Sequence, residues 1–233
     1  MKNRKIAFML VAALFSVSVS FFTSCKDESG KFVEQYYTNQ EKDRAVRACL
    51  KQSSDSALSR LFKYDGFYGA DGYRIDFTPI QNTVFDTLSK YGKGYMCDSL
   101  VLLTNRMAES CAAQISPYMK KAIDTLDIVD PGKLLKGADN AITRYFMMCE
   151  SSYLKSAFQS PVSIRLNVMG VNALWSRMYG EYIKYSPAPL NFDFRNYVVE
   201  KMLDNVLVEM EMEERLIRTD STHLNDDLVI FKR

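Results

Sequence analysis

From Lys42 to Met210 the apolar residues of this chain return mostly every three or four positions. That return is the spacing of one face of a helix, so the body is expected to fold as packed helices. The first long stripe runs from about Lys42 to Tyr64 and carries Val46, Cys49, Leu50, Ala57, Leu58, Leu61 and Phe62. The last, opened by Asp193, carries Val198, Met202, Leu203, Val206, Leu207 and Met210. Only Tyr73–Phe77 alternates in polarity, and it has no evident partner strand.

Breaks between the stripes divide the helices. The segment Asp65-Gly66-Phe67-Tyr68-Gly69 reads as a sharp turn. Pro79 suits the first turn of a helix reaching about Tyr91, and Gly92 and Gly94 interrupt the chain before a helix from about Met96 to Ile115. Ser116-Pro117 starts another, to about Leu126. Asp130-Pro131 begins a short one that Gly137 stops. Asp139 is placed to cap a long helix through Ala141, Tyr145, Cys149 and Leu154, which Pro161 kinks or ends. A further helix carries Leu166, Val168, Leu174, Trp175 and Met178, and Ser186–Pro189 is a rigid connector. The fold expected is all-α, a single-domain multi-helix bundle over residues 41–233.

The start of the chain is of another kind. Lys2-Asn3-Arg4-Lys5 precedes an almost wholly apolar run from Ile6 to Phe22, then Thr23-Ser24-Cys25. A basic start, an apolar core and small residues before a cut describe a secretory signal peptide. A cysteine just after the cut is the arrangement of a bacterial lipoprotein, whose thiol takes a diacylglycerol. The run is short for a membrane span, and its second half is rich in serine. Residues 1–24 are therefore read as a lipoprotein signal peptide. Residues 25–40 are read as the acylated Cys25 and a flexible tether. Lys26-Asp27-Glu28-Ser29-Gly30 resembles an export signal to the outer face of the outer membrane. The expected location is the cell envelope, at the outer membrane, with a lean toward surface exposure.

Removing Lys2, Arg4 and Lys5 with the signal peptide takes the formal charge from +2 to −1. A near-neutral body argues against nucleic acid, whose phosphates demand a basic surface. It also leaves attachment to the acyl chains, of which more than one is needed for firm anchoring. Four cysteines follow Cys25: Cys49, Cys97, Cys111 and Cys149. An even count permits two disulfides in three pairings, but a body of this size needs no staples, and buried thiols are the simpler expectation. Their spacing fits no zinc site, and no phosphate-binding loop is present, so no metal or cofactor is expected.

Several strings occur together in order: Asp65-Gly66-Phe67-Tyr68-Gly69, Asn105-Arg106-Met107-Ala108-Glu109, Gly137–Phe146, Tyr197-Val198-Val199-Glu200-Lys201 and Glu213–Arg218. In this order they resemble the bacterial family catalogued as domain of unknown function 4197, from about residue 43 to the C-terminus. The resemblance implies an exported helical protein, often a lipoprotein, with no established activity.

Within those strings lie the residues that chemistry could use. Asn105 and Glu109 are four apart and share a helix face, as do Asp139 and Thr143, and Glu214 and Arg218. For Asn105 and Glu109 the expectation is a hydrogen-bonded network fixing helix packing, the alternative an acid–base or headgroup site. Tyr145 could join such a network. Glu214 and Arg218 read as a surface ion pair, with Glu209, Glu211 and Glu213 on a solvated face; an inward Arg218 would instead hold an anion. Ser152–Lys155 fits Ser-x-x-Lys without its companion motifs, and His223, the only histidine, lies in a polar tail that would have to fold back to act. No catalytic residue is assigned. The function expected is a lipid-anchored, non-enzymatic binding or interaction module, whose partners are the membrane and an envelope protein or an apolar small molecule. The alternative is an envelope enzyme or apolar-ligand carrier using Glu109 or Glu214 with Arg218.

Overall fold

Helix α1 (Asn39–Leu61) opens where Thr38 and Glu41 cap each other. The Glu41 N–H donates to the threonine hydroxyl, and the glutamate takes the Thr38 N–H at 2.7 Å. This reciprocal cap starts the helix three residues earlier than the apolar stripe suggested. The computed structural model describes residues 37–186 and 189–231. The segment expected to be a signal peptide, Cys25 and most of the expected tether lie outside the described residues. No helix among the described residues is long and apolar enough to cross a membrane.

After α1 come α2 (Thr78–Ile80), a π-helical turn (Gln81–Phe85) and α3 (Asp86–Lys90), then α4 (Gly94–Glu109) and α5 (Ala112–Thr125). The rest is α6 (Pro131–Leu135), α7 (Ala141–Val168), α8 (Val171–Tyr182), α9 (Phe194–Thr219) and two short 3-10 turns, Ser221–His223 and Asp226–Phe231. The fold is all-α, with no strand among the described residues. Helix α9 lies at the centre, packed on α1 and α7, with α5 against both α7 and α1 and α8 against α4. The expected stripes form the core: Val46, Cys49, Leu50, Val198, Met202, Val206 and Met210 are all buried.

Three further boundaries depart from the sequence reading. The helix expected over Met96–Ile115 ends at Glu109. There the Ser110 hydroxyl bonds the Met107 carbonyl at 2.6 Å, and tightened bonds turn the chain into α5. Pro117 lies inside α5, and Pro161 inside an unbroken α7. Each removes a single backbone bond. For Pro161 the buried contacts of its neighbours Phe158 and Val162 outweigh that loss. The chain breaks instead at Gly170, whose φ of 74° is the left-handed conformation that glycine adopts without penalty.

Phe77 takes the same left-handed region with φ 57°, a costly choice for a bulky residue. Its ring is fully buried, stacked on Phe194 at 5.4 Å and flanked by Tyr197 and Phe192. Trp175 stacks on the same Phe194 at 4.8 Å. This aromatic pile joins the α2 end of the chain to α8 and α9 and outweighs the local strain.

Candidate functional site

The extended piece Tyr73–Phe77 has a partner, and it is a side chain. Asn105, buried on α4, accepts the Ile75 N–H at 2.9 Å and donates to the Ile75 carbonyl at 3.0 Å. Its amide also donates to Val101 O at 2.7 Å. One carboxamide thus supplies both halves of a strand pairing to a segment that has no neighbouring strand.

Glu109, one turn on, does the equivalent for the preceding turn. Its Oε1 accepts the N–H groups of Phe67 and Tyr68 at 3.1 and 3.0 Å. Its Oε2 takes the Arg106 guanidinium at 2.7 Å, and Arg106 also reaches Asp65 at 2.7 Å while lying 3.8 Å over the Tyr64 ring. The hydrogen bonds that Arg106 donates to Glu109 and Asp65 outweigh desolvation and hold its guanidinium above its ordinary range. The turn can approach this closely only because residue 66 is glycine: a Cβ there would stand 2.1 Å from the Leu61 carbonyl oxygen.

The second assembly sits at the start of α7. Asp139 was expected to cap this helix, but it is exposed, and the N-cap position falls to Asn140, whose side chain makes no capping bond. The cap comes from α9. Glu214, fully buried, accepts the Ile142 N–H at 3.0 Å and the Thr143 N–H at 2.7 Å. A carboxylate beside the first amides of a helix also meets the positive end of its dipole. Arg218 completes the unit. It donates to Glu214 at 3.0 and 2.8 Å and to the carbonyls of Leu134 and Leu135, at the end of α6, at 3.0 and 2.8 Å. The pair is therefore interior, with side chains 2% and 0% exposed, and not the surface ion pair its spacing suggested. Arg47 on α1 closes α5 in the same manner, through the Ile123 and Leu126 carbonyls at 2.7 and 2.8 Å.

The acidic face of α9 is also corrected. Glu209 and Glu213 are buried, while Glu211 alone of the run retains partial exposure. Arg60 of α1 donates to Glu209 at 3.0 Å and also pairs with Glu213. The polar tail folds back, so that His223 Nδ1 lies 2.8 Å from Glu213, and Gln52 bonds the His223 carbonyl at 2.7 Å. Burial works to raise the Glu213 carboxyl, yet the bonds from His223 and Gln52 and the Arg60 charge hold it below its ordinary value. Burial and the neighbouring Glu209 push the Tyr73 hydroxyl up to about 12. Sequence reasoning missed this cluster because its members come from residues 52 to 223. The one available signal was a lone histidine ten residues from Glu213.

Of the residues singled out from sequence, the structure brings together Thr143, Glu214 and Arg218 in one unit, and Asn105 and Glu109 in another. Thr143 joins through its backbone; its hydroxyl is buried and unpartnered. Tyr145 stands apart, donating to the Asp127 carbonyl at 2.6 Å. Surface depressions of ligand size include an open groove of about 1130 Å³ along α1, a cleft of about 390 Å³ between α4 and α8, and two hollows of about 320 and 530 Å³ between α7 and α9. None of Asn105, Glu109, Asp139, Thr143, Tyr145, Glu214 and Arg218 lines any of these. The four cysteines are free, with Cys49, Cys97 and Cys111 buried and Cys149 exposed. Among the described residues, no group of three His, Cys, Asp or Glu side chains is placed to hold a metal ion.

A family model described as a protein of unknown function, DUF4197, matches residues 36–231, from the start of α1 to the end of the last 3-10 turn. The chain belongs to the DUF4197 family. Neither a curated protein nor a solved structure matches it. The strings that carry the family resemblance pair off in space. The Asp65–Gly69 turn is held by the Asn105–Glu109 string, and the Gly137–Phe146 string by Glu213–Arg218. Tyr197, from the remaining string, packs on Phe77. In this DUF4197 chain Asn105, Glu109, Glu214 and Arg218 are spent on backbone groups that secondary structure leaves open.

Proposed function

We propose that this protein is anchored in the bacterial cell envelope by acyl chains on Cys25, at the outer membrane. We further propose that its helical body is a binding or interaction module and not an enzyme. The first half is supported by the basic start, the apolar run and the small residues that precede Cys25. The second half is supported by one observation above all. Glu109 and Glu214, the carboxylates best suited by sequence to acid–base work, are committed to two backbone amides and an arginine each. A general base must reach the proton it removes, and these groups would first have to abandon buried partners. The rival reading, an enzyme or apolar-ligand carrier built on Glu109 or Glu214 with Arg218, carries that cost.

Mass spectrometry of the mature N-terminal peptide tests the anchor. The account expects Cys25 as a diacylglyceryl thioether, accumulation of the precursor under globomycin, and loss of envelope sedimentation in Cys25→Ser. An unmodified Cys25, or a Cys25→Ser protein that still sediments with the envelope, would overturn it.

A further inference from the structure

Helices α4 and α8 run antiparallel: Lys93, at the start of α4, pairs with Glu181 near the end of α8, while Ser110, at the end of α4, touches Met169 just before α8. Between them lies the cleft of about 390 Å³, within the size range of small-molecule sites. From Lys93 to Leu103 it follows α4 for roughly 15 Å at 1.5 Å per residue.

The lining is graded in character. Met96, Leu103, Met169 and Leu174 give an apolar floor, with methionines that adapt to flexible apolar ligands. Toward the start of α4 the cleft becomes cationic. Lys93 and Arg177 both line it, and Lys184 adjoins through Glu181. Glu181, held down to about 2 by hydrogen bonds from Lys184 and Lys93, is shared between two lysines. Arg177, exposed on the same face of α8, pairs with no carboxylate among the described residues. Three cations thus meet one carboxylate on a body whose overall charge is close to neutral. The rim adds exposed tyrosines, with Tyr95 in the lining and Tyr91 stacked on Tyr185 at 3.8 Å beneath Lys93. Tyrosine presents an apolar body and a polar tip, which suits the boundary between hydrocarbon and water.

We propose that the α4–α8 cleft binds a single-chain anionic amphiphile, its acyl tail along Met96, Leu103, Met169 and Leu174 and its acidic head at Arg177 and Lys93. A free fatty acid and a lysophospholipid share this chemistry. The site is separate from the Glu109 and Glu214 assemblies and does not depend on the anchor at Cys25.

The test uses the full protein in isolated envelopes and a photoactivatable diazirine analogue of laurate, with cross-links mapped to peptides. Labelling is expected to saturate and to fall on α4 and α8. Laurate or lysophosphatidylglycerol should compete, whichever is effective at lower concentration identifying the source, while dodecyltrimethylammonium should not. Ser99→Phe, which fills the cleft from an exposed position, and Arg177→Glu, which reverses its free charge, should each reduce labelling at least tenfold at equal protein level. Labelling that does not saturate, spreads over the whole body, ignores both variants or is competed equally by the cationic chain would overturn the proposal. A failed cross-link together with an intact Cys25 thioether would refute the cleft alone.

Discussion

Replacing Glu214 with glutamine preserves side-chain volume and isolates the electrostatic role of the fastener at the start of α7. Two carboxylate oxygens currently serve four donors: Ile142 N, Thr143 N, and the Nε and one terminal nitrogen of Arg218. A carboxamide turns one acceptor into a donor. Kept in its best orientation, it leaves the Thr143 N–H facing another N–H, a buried amide without a partner, at about 1–3 kcal/mol. It also removes the negative charge opposite Arg218, whose side chain is 2% exposed; breaking such a buried pair costs about 3–5 kcal/mol. The terms share Arg218 and do not add fully, and the Leu134 and Leu135 carbonyls still hold the guanidinium, so a net loss of about 4 kcal/mol is expected. Against the roughly 5–15 kcal/mol that holds a domain together, that is a large share. In urea, at a slope of about 2 kcal/mol/M, the midpoint should fall by about 2 M with the slope unchanged. Arg218→Met should cost less in the Glu214→Gln background than alone, with a coupling of about 2 kcal/mol. A midpoint shift equivalent to less than about 1 kcal/mol, or strict additivity with Arg218→Met, would refute the reasoning.

Glu109→Gln should be milder, about 1–2 kcal/mol, because one oxygen can still accept from Phe67 and Tyr68 and Arg106 keeps Asp65; Glu109→Leu, which orphans both amides, should lose about 3 kcal/mol by the same urea titration. Because the folded state holds Glu213 below its ordinary 4.5, the stability it contributes is present above that value and disappears as pH falls through the lower folded value. Urea midpoints followed downward from pH 6 should therefore drop less steeply below pH 4.5 in Glu213→Gln than in the parent. Among the four cysteines of the described residues, only the Cys149 thiol should react promptly with an alkylating reagent in native protein, since Cys49, Cys97 and Cys111 are buried; burial pushes the Cys97 and Cys111 thiols up to about 11. Peptide mapping after a short alkylation checks this, with all four modified in denaturant.

The devices legible in the sequence were those that act within a few residues. Asp130 and Asp193 each cap a helix three residues on, through Lys133 N at 2.9 Å and Asn196 N at 3.0 Å, as their positions before α6 and α9 implied. The apolar stripes were legible for the same reason: period and burial are properties of one helix. Glu214 defeated that reasoning because the amides it caps lie 71 and 72 residues away, so its i,i+4 relation to Arg218 looked like a surface pair. Asn105 is similar, completing an extended segment thirty residues earlier whose missing strand no local pattern could supply. The tail reads in sequence only as a polar segment that would have to fold back for His223 to act; it does fold back, His223 reaching Glu213, and buried Leu228 and Phe231 pin the segment that follows. Proline misled in the other direction, since Pro117 and Pro161 are local breakers that tertiary packing tolerates.

Asn105, Glu109 and Glu214 serve as partners for backbone groups that no helix or sheet satisfies. Native-state hydrogen exchange reads those groups one by one. The amides of Phe67, Tyr68, Ile75, Ile142 and Thr143, which sit in loops or at a helix start, should exchange as slowly as core helical amides such as that of Val206. In the Glu109→Leu protein only Phe67 and Tyr68 should lose that protection selectively. If all five exchange at the rate of open loops in the parent protein, the fasteners are not formed and the account is contradicted.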